Sequence, residues 1–134
     1  MANYRYLLDT NIISSLFREP QGKVYKHLQR VGEDAVCTSI VVAAELRFGA
    51  QKRAAPVLVA WVEQILSSID ILPLDAPADQ TYAEIRAYLE RTGQVIGPND
   101  LLIAAHALQL GLVVVTDNTG EFARVPGLMV ENWL

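Results

Sequence analysis

Leu112-Val113-Val114-Val115-Thr116 is a continuous apolar run with no polar alternation, bounded by Gly111 and Asp117. A strand of that kind is buried on both faces, as in parallel sheets covered by helices on each side. The rest of the chain fits the same plan. Tyr6–Leu8, Val36–Thr38, Ile69–Leu72 and Leu128–Val130 are further short strand candidates, with helical patterns between them. One helix runs through Ile12, Ile13, Leu16 and Phe17. Pro20 opens a second, with Val24, Leu28 and Val31 on one side and Gly32 near its end. Ser39 can cap a helix from Ile40 to about Arg53. Pro56 opens another with a wide apolar face of Val57, Leu58, Trp61, Val62, Ile65 and Leu66. Asp75 or Pro77 starts a helix running to Arg91, ended by Gly93. The loop Val95–Asn99 leads into a helix from Asp100 to Leu110, closed by Gly111. Asp117 to Gly120 reads as a loop, and Glu121 to Arg124 as a short helical turn. Strands alternating with helices make this an α/β chain, with residues 1–134 forming one domain around one core.

Four polar positions stand out against this apolar background: Asp9, Glu45, Asp100, and Asp117 with Asn118. Each ends a strand or lies early in a helix, beside apolar sequence. Ligands of parallel sheets sit beyond the carboxyl ends of the strands, where Asp9 and Asp117 fall. Asp100 stands at a helix N-terminus, and Glu45 lies about two turns into its helix. Taken singly, each has an ordinary explanation. Asp9 can cap a helix, Asp100 can answer a helix dipole, Glu45 can sit on a solvated face, and Asp117-Asn118 can form a turn. Taken together, several buried carboxylates repel one another and call for a cation. Oxygen-only ligands favour a hard ion, Mg²⁺ or Mn²⁺. That combination points to metal-assisted chemistry on phosphate.

Bulk properties narrow the field. The net charge of −4 argues against a general nucleic-acid binder. Setting Asp9, Glu45, Asp100 and Asp117 aside leaves the remainder neutral, so a metal-loaded surface can still hold a phosphate backbone. Charged residues are only 19% against 51% hydrophobic, which suggests that a partner covers some apolar surface. No apolar stretch approaches the ~20 residues of a membrane helix. The N-terminal segment lacks the apolar core of a signal peptide, and Cys37 is alone. A cytoplasmic location, with Cys37 as a small core residue, is the simplest expectation. His106 lies six residues after Asp100, roughly 240° around a helix, and reads as a packed or surface histidine. His27, between Lys26 and Arg30, reads as solvated.

The motifs Leu7-Leu8-Asp9-Thr10-Asn11, Ala44-Glu45-Leu46-Arg47-Phe48-Gly49-Ala50, Ile96-Gly97-Pro98-Asn99-Asp100 and Val115-Thr116-Asp117-Asn118, followed by Glu121-Phe122, resemble PIN-domain ribonucleases in that order. The ending, Phe122 to Leu128 and then Glu131-Asn132-Trp133, is similar to VapC toxins of type II toxin–antitoxin pairs. The resemblance implies a three-layer α/β/α fold with a parallel five-stranded sheet and an acidic pocket for Mg²⁺ or Mn²⁺. Asp9, Glu45 and Asp100 match the family's first three acids, with Asp9 and Asp100 as the expected metal ligands. The fourth acid falls where this chain has Asn118, one residue after Asp117, so Asp117 or Asn118 is expected to act there through water. Glu45 is expected to orient or deprotonate the attacking water, or to help bind a second ion. The implied activity is endoribonuclease cleavage of structured RNA, with initiator tRNA, cut in the anticodon stem-loop, as the candidate substrate. The implied partners are a VapB-type antitoxin and a second copy of the chain; the wide apolar face from Val57 to Leu66 reads either as core packing or as a groove for the antitoxin's helical segment, with homodimerisation nearby.

Three other readings compete. A haloacid-dehalogenase-like phosphatase needs a second Asp two residues after the first, where Asn11 stands. A receiver domain needs a late lysine, and none follows Lys52. A catalytically inactive PIN module would not need Asp9, Glu45 and Asp100 together.

Overall fold

Val113–Val115 pairs with Tyr6–Leu8 on one side and with Val130–Glu131 on the other, all in parallel. This computed structural model describes residues 3–134. Met1 and Ala2, which begin the segment read above as lacking a signal-peptide core, lie outside the described residues. The strands are β1 (Tyr6–Leu8), β2 (Val36–Ser39), β3 (Asp70–Leu72), β4 (Val113–Val115) and β5 (Val130–Glu131). They form one five-stranded sheet in the order β3-β2-β1-β4-β5. The helices are α1 (Thr10–Arg18), α2 (Lys23–Val31), α3 (Ile40–Arg53), α4 (Pro56–Ser68), α5 (Ala78–Arg91), α6 (Pro98–Leu110) and α7 (Thr119–Phe122). Every residue of β1, β2 and β4 is buried, so helices must cover both faces. The result is the three-layer α/β/α arrangement expected from the strand pattern.

The strand order positions the site. The chain builds β2 and β3 on one side of β1, then crosses to build β4 and β5 on the other. The topological switch therefore lies between β1 and β4, and a crevice opens beyond their carboxyl ends. The Asp9 N–H donates to the Val115 carbonyl at 2.9 Å, which holds the two strand ends together.

Several boundaries differ from the sequence reading, each for a local reason. α2 begins at Lys23 rather than Pro20, because the Gly22 N–H closes a turn onto the Glu19 carbonyl. α6 begins two residues before Asp100, with Pro98 in the first turn, where its locked φ and missing N–H cost nothing. α7 starts at Thr119, inside the segment read as loop. β5 falls later than Leu128, since Gly127 turns the chain at φ 80° and delays pairing until Val130. Gly111 ends α6 at φ 70°, where a side chain would be strained.

His27 is a correction. Its ring is half-buried and stacks on Trp133, with centroids 5.0 Å apart and planes 7° from parallel. Arg30 Nη2 lies 2.7 Å from its Nδ1. A guanidinium only donates, so Nδ1 accepts. His106 is packed, 1% exposed, with Nδ1 2.8 Å from the Ser39 hydroxyl. Its Nε2 faces the Pro73 carbonyl without a hydrogen bond of normal geometry, and burial lowers its pKa. Cys37 is fully buried, and that burial pushes its thiol up to about 12, so it is inert core material.

Candidate active site

Asp9 is the N-cap of α1 and the residue that leaves β1. Its Oδ1 accepts from the N–H of Thr10, the first residue of α1, at 2.8 Å, and so satisfies one of the free donors of the helix start. Its Oδ2 accepts from the Thr116 hydroxyl at 2.8 Å, across the switch point from the end of β4. That hydroxyl also accepts from the Asn118 N–H at 2.9 Å, so Thr116 locks the post-β4 turn to the first acid. Asp9 is only 5% exposed. Burial raises its pKa; the bonds from Thr116 and Thr10 oppose the rise, and the charges of Glu45 and Asp117 add to it.

Glu45 reaches the same crevice from α3. Its Oε1 accepts from the Thr10 hydroxyl at 2.5 Å, and its Oε2 accepts from the Asn99 amide at 3.1 Å. One carboxylate thus joins the start of α1 to the start of α6. Asp100, in the first turn of α6, accepts from the Asn118 amide at 2.8 Å. The same amide donates to Glu121 on α7, and the other Glu121 oxygen accepts from the Gly97 N–H at 3.1 Å. The Asp100 pKa is raised to about 7, first by burial, then by its contact with Glu121 and by the charge of Asp9. Glu121 moves the other way, lowered chiefly by the Asn118 and Asp100 bonds. The two carboxylates titrate as a pair, and the deeper burial of Asp100 is what favours the proton on its side.

The structure therefore brings Asp9, Glu45 and Asp100 into one acidic crevice, linked through Thr10, Asn99, Thr116 and Asn118. Asp117 lies at its exposed rim, where its Oδ1 accepts from the Asn11 amide at 2.9 Å. Asn118 is the member of that pair that faces Asp100. Glu121 was not singled out as a site acid. Its signal was present as a residue three after Asn118, a spacing that puts both side chains on one face of a helical turn. Reading Asp117–Gly120 as loop broke that turn and hid the relation.

The donors suit a hard divalent ion. All are oxygens, burial and then the neighbouring acids raise two of the carboxyl pKa values, and no site acid takes part in the ion pairs Arg47–Glu63 and Arg86–Glu90. Among the described residues, no three acid, histidine or cysteine side chains already form a closed ion cage. Their oxygens are turned onto neighbouring hydroxyls and amides instead. Mg²⁺ retains several waters and takes only one or two direct carboxylates, so an open acidic pocket fits it better than a cage would.

Residues 6–128 match the PIN domain family. A tRNA(fMet)-specific endonuclease VapC of Shigella flexneri is 39% identical over 130 residues, covering 96% of this chain and 98% of the relative. The chain belongs to the PIN-domain family, in its VapC group. Ribonuclease VapC2 of Haemophilus influenzae is 38% identical over 132 residues, covering 97% of this chain and 98% of that protein. The crystal structure of DNA-bound VapBC from Salmonella typhimurium is similar with a TM-score of 0.91 at 36% identity, over 98% of this chain and 99% of that one. Membership in this family of nucleases sets aside the haloacid-dehalogenase and receiver readings of Asp9.

Proposed function

We propose that this PIN domain is a Mg²⁺- or Mn²⁺-dependent endoribonuclease, the toxin of a toxin–antitoxin pair, restrained by a VapB-type antitoxin. The observation that carries the reading is the meeting of Asp9, Glu45 and Asp100 at the switch point of the sheet, with Glu121 joined to Asp100 through Asn118. Asp9 and Asp100 would hold the ion, with Glu121 behind Asp100. When bound, the cation supplies charge stabilisation at the phosphate and a more acidic water. Glu45, held by the Thr10 and Asn99 contacts, would orient the attacking water and take its proton. The water oxygen would bond to phosphorus as the bond to the 3′ oxygen breaks, and that oxygen would take a proton from solvent and leave as a hydroxyl. Asn118 keeps Asp100 facing inward, and Thr116 does the same for Asp9. Asp117, at the rim, acts through water.

The substrate class follows from the relatives. The Shigella flexneri relative is named for tRNA(fMet), which makes initiator tRNA the first RNA to try. The expected result is cleavage in the anticodon stem-loop, leaving a 5′-phosphate and requiring Mg²⁺ or Mn²⁺. Adding the ion to RNA-free protein should also raise the thermal midpoint, by about 2.7 kcal/mol of stabilisation at a hundred times Kd. Uncut RNA together with an unmoved midpoint would remove the nuclease reading. We infer that the protein acts in the cytoplasm, where the candidate tRNA substrate is found; among the described residues no helix is long and apolar enough to cross a membrane.

A groove of about 400 Å³ opens beside Glu45, lined in part by Asn11, Phe17, Arg18, Arg53 and Trp61. Phe17 and Trp61 meet edge to face at 5.2 Å. Of the wide apolar face on α4, Val62 and Leu66 go to the core, whereas Leu58 and Trp61 line this groove and Val57 is 74% exposed. Solved relatives include VapBC complexes, and an apolar antitoxin segment laid here would reach the acids with a basic side chain. A Trp61→Asp change should weaken binding of the antitoxin at least about tenfold, or ~1.4 kcal/mol. Titration calorimetry reads this, and unchanged affinity would place the antitoxin elsewhere. Ile40 and Phe48, both exposed on α3 and outside the lining of that groove, support self-association of the chain.

A further inference from the structure

The segment from Val95 to Asn99 leaves α5 and delivers both Asn99 and Asp100 to the acidic crevice. Val95 is 61% exposed, so little packing holds that end of the segment. Ile96 packs against the core. Two polar contacts reach the segment from beyond the crevice. One is the Glu121 carboxylate on the Gly97 N–H. The other comes from Arg124, just past α7, whose Nη1 donates to the Val95 carbonyl at 2.8 Å. Arg124 is exposed and forms no ion pair among the described residues. Its charge also helps to lower the Glu121 pKa, and the guanidinium's hydrogen bond, to a backbone carbonyl at the edge of the crevice, fixes chain position.

We propose that Arg124 is a positioning residue for the ribonuclease reaction: by holding the Val95 carbonyl it sets where the Val95–Asn99 segment stands against Glu45 and Asp100. The geometry gives it a lever. Arg124 and Glu121 grip the segment two residues apart, at Val95 and Gly97. Asn99, two residues further on, reaches Glu45 Oε2 at 3.1 Å. If the first grip is released, Val95 and Ile96 gain freedom, Gly97 keeps only its Glu121 contact, and the first turn of α6, which carries Asn99 and Asp100, is held less firmly against Glu45. Reactions of this kind lose about 10²-fold in rate for a displacement near 1 Å. The role differs from contact with RNA in what its loss would change, since a positioning bond acts on kcat and a phosphate contact on KM and its salt dependence.

The inference rests on the nuclease reading, and the two can be separated experimentally. The variants are Arg124→Met, which keeps the apolar stem without donors, and Arg124→Lys, which keeps a donor of similar reach. Backbone amide exchange of the RNA-free chain is followed at Gly97, alongside cleavage of initiator tRNA with Mg²⁺. In Arg124→Met, exchange at Gly97 should speed up at least about tenfold while amides of β1 and β4 keep their protection. The value of kcat should fall about ten- to hundredfold with KM within twofold, and Arg124→Lys should recover much of both. Unchanged exchange at Gly97 overturns the proposal. So does a loss confined to KM that steepens with salt, which would make Arg124 a phosphate contact. Loss of protection throughout the sheet would make it merely structural and also overturns it. Failure of the wild-type chain to cut any RNA removes the nuclease reading instead, and with it the kinetic role, whatever the exchange at Gly97 does.

Discussion

Replacing Asp9 with asparagine should reduce divalent-dependent RNA cleavage by about 10²- to 10³-fold, the scale of removing one preorganised charge-stabilising group. The thermal midpoint should stay level or rise. Both halves follow from the same geometry. Asp9 is buried, and that burial is the leading cause of its raised pKa, with Glu45 and Asp117 adding repulsion. A negative charge in that position costs stability until a cation answers it. Asparagine keeps an oxygen for the Thr10 N–H and can face the Thr116 hydroxyl, so the α1 cap and the β1–β4 link survive. What is lost is one charge in the pocket. Cleavage assays over a divalent titration, with thermal unfolding in parallel, give both readings. Full activity in Asp9→Asn, or a midpoint lowered by several degrees, would contradict the site as described.

Trp133→Ala should be the most destabilising single change at the carboxyl end, costing about 3–5 kcal/mol. For a chain of this size that lowers the thermal midpoint on the order of 10–20 °C. Trp133 is 2% exposed. Its ring meets Tyr6 of β1 edge to face at 5.1 Å and stacks on His27 of α2 at 5.0 Å. Its indole N–H donates to the Glu131 carboxylate at 3.0 Å. One side chain thus binds the tail after β5 to the central strand and to a helix distant in sequence. Truncation to alanine removes aromatic contacts worth more than their area and leaves a cavity. Circular dichroism melts of Trp133→Ala and Trp133→Phe decide the matter. The phenylalanine variant should keep much of the stability, and a fall under about 3 °C for alanine would show that the tail is not integral to the fold.

The sheet was legible because period and punctuation agree locally. The Leu112–Thr116 run, the Ser39 cap and the Pro56 opening each need only their own neighbours; the cap and the opening appear as read, and the strand pairs over its middle, Val113–Val115. Asp9, Glu45 and Asp100 could be picked out as candidates for the same reason, since a carboxylate set in apolar sequence at the end of a strand or early in a helix is conspicuous without coordinates. Reading failed where a residue's role depends on a distant partner. His27 looked solvated between Lys26 and Arg30, because nothing in its surroundings announces Trp133, which is over a hundred positions away. The wide face of α4 could not be divided by periodicity into the core part, Val62 and Leu66, and the groove part, Leu58 and Trp61. That division depends on where α1 and α3 come to rest.

By itself, the order of residues settled the class of fold and the family, and it named three of the acids, because burial patterns and capping chemistry act over a few residues. Tertiary structure alone decided which side chains complete the pocket. It turned Asp117 outward to Asn11, brought Asn118 to Asp100, and set Glu121 and Arg124 against the segment before α6. Those choices depend on the direction in which α7 leaves β4 and on the crossover between β1 and β4. Such directions are fixed by packing of the whole sheet, which no local stretch of the chain encodes.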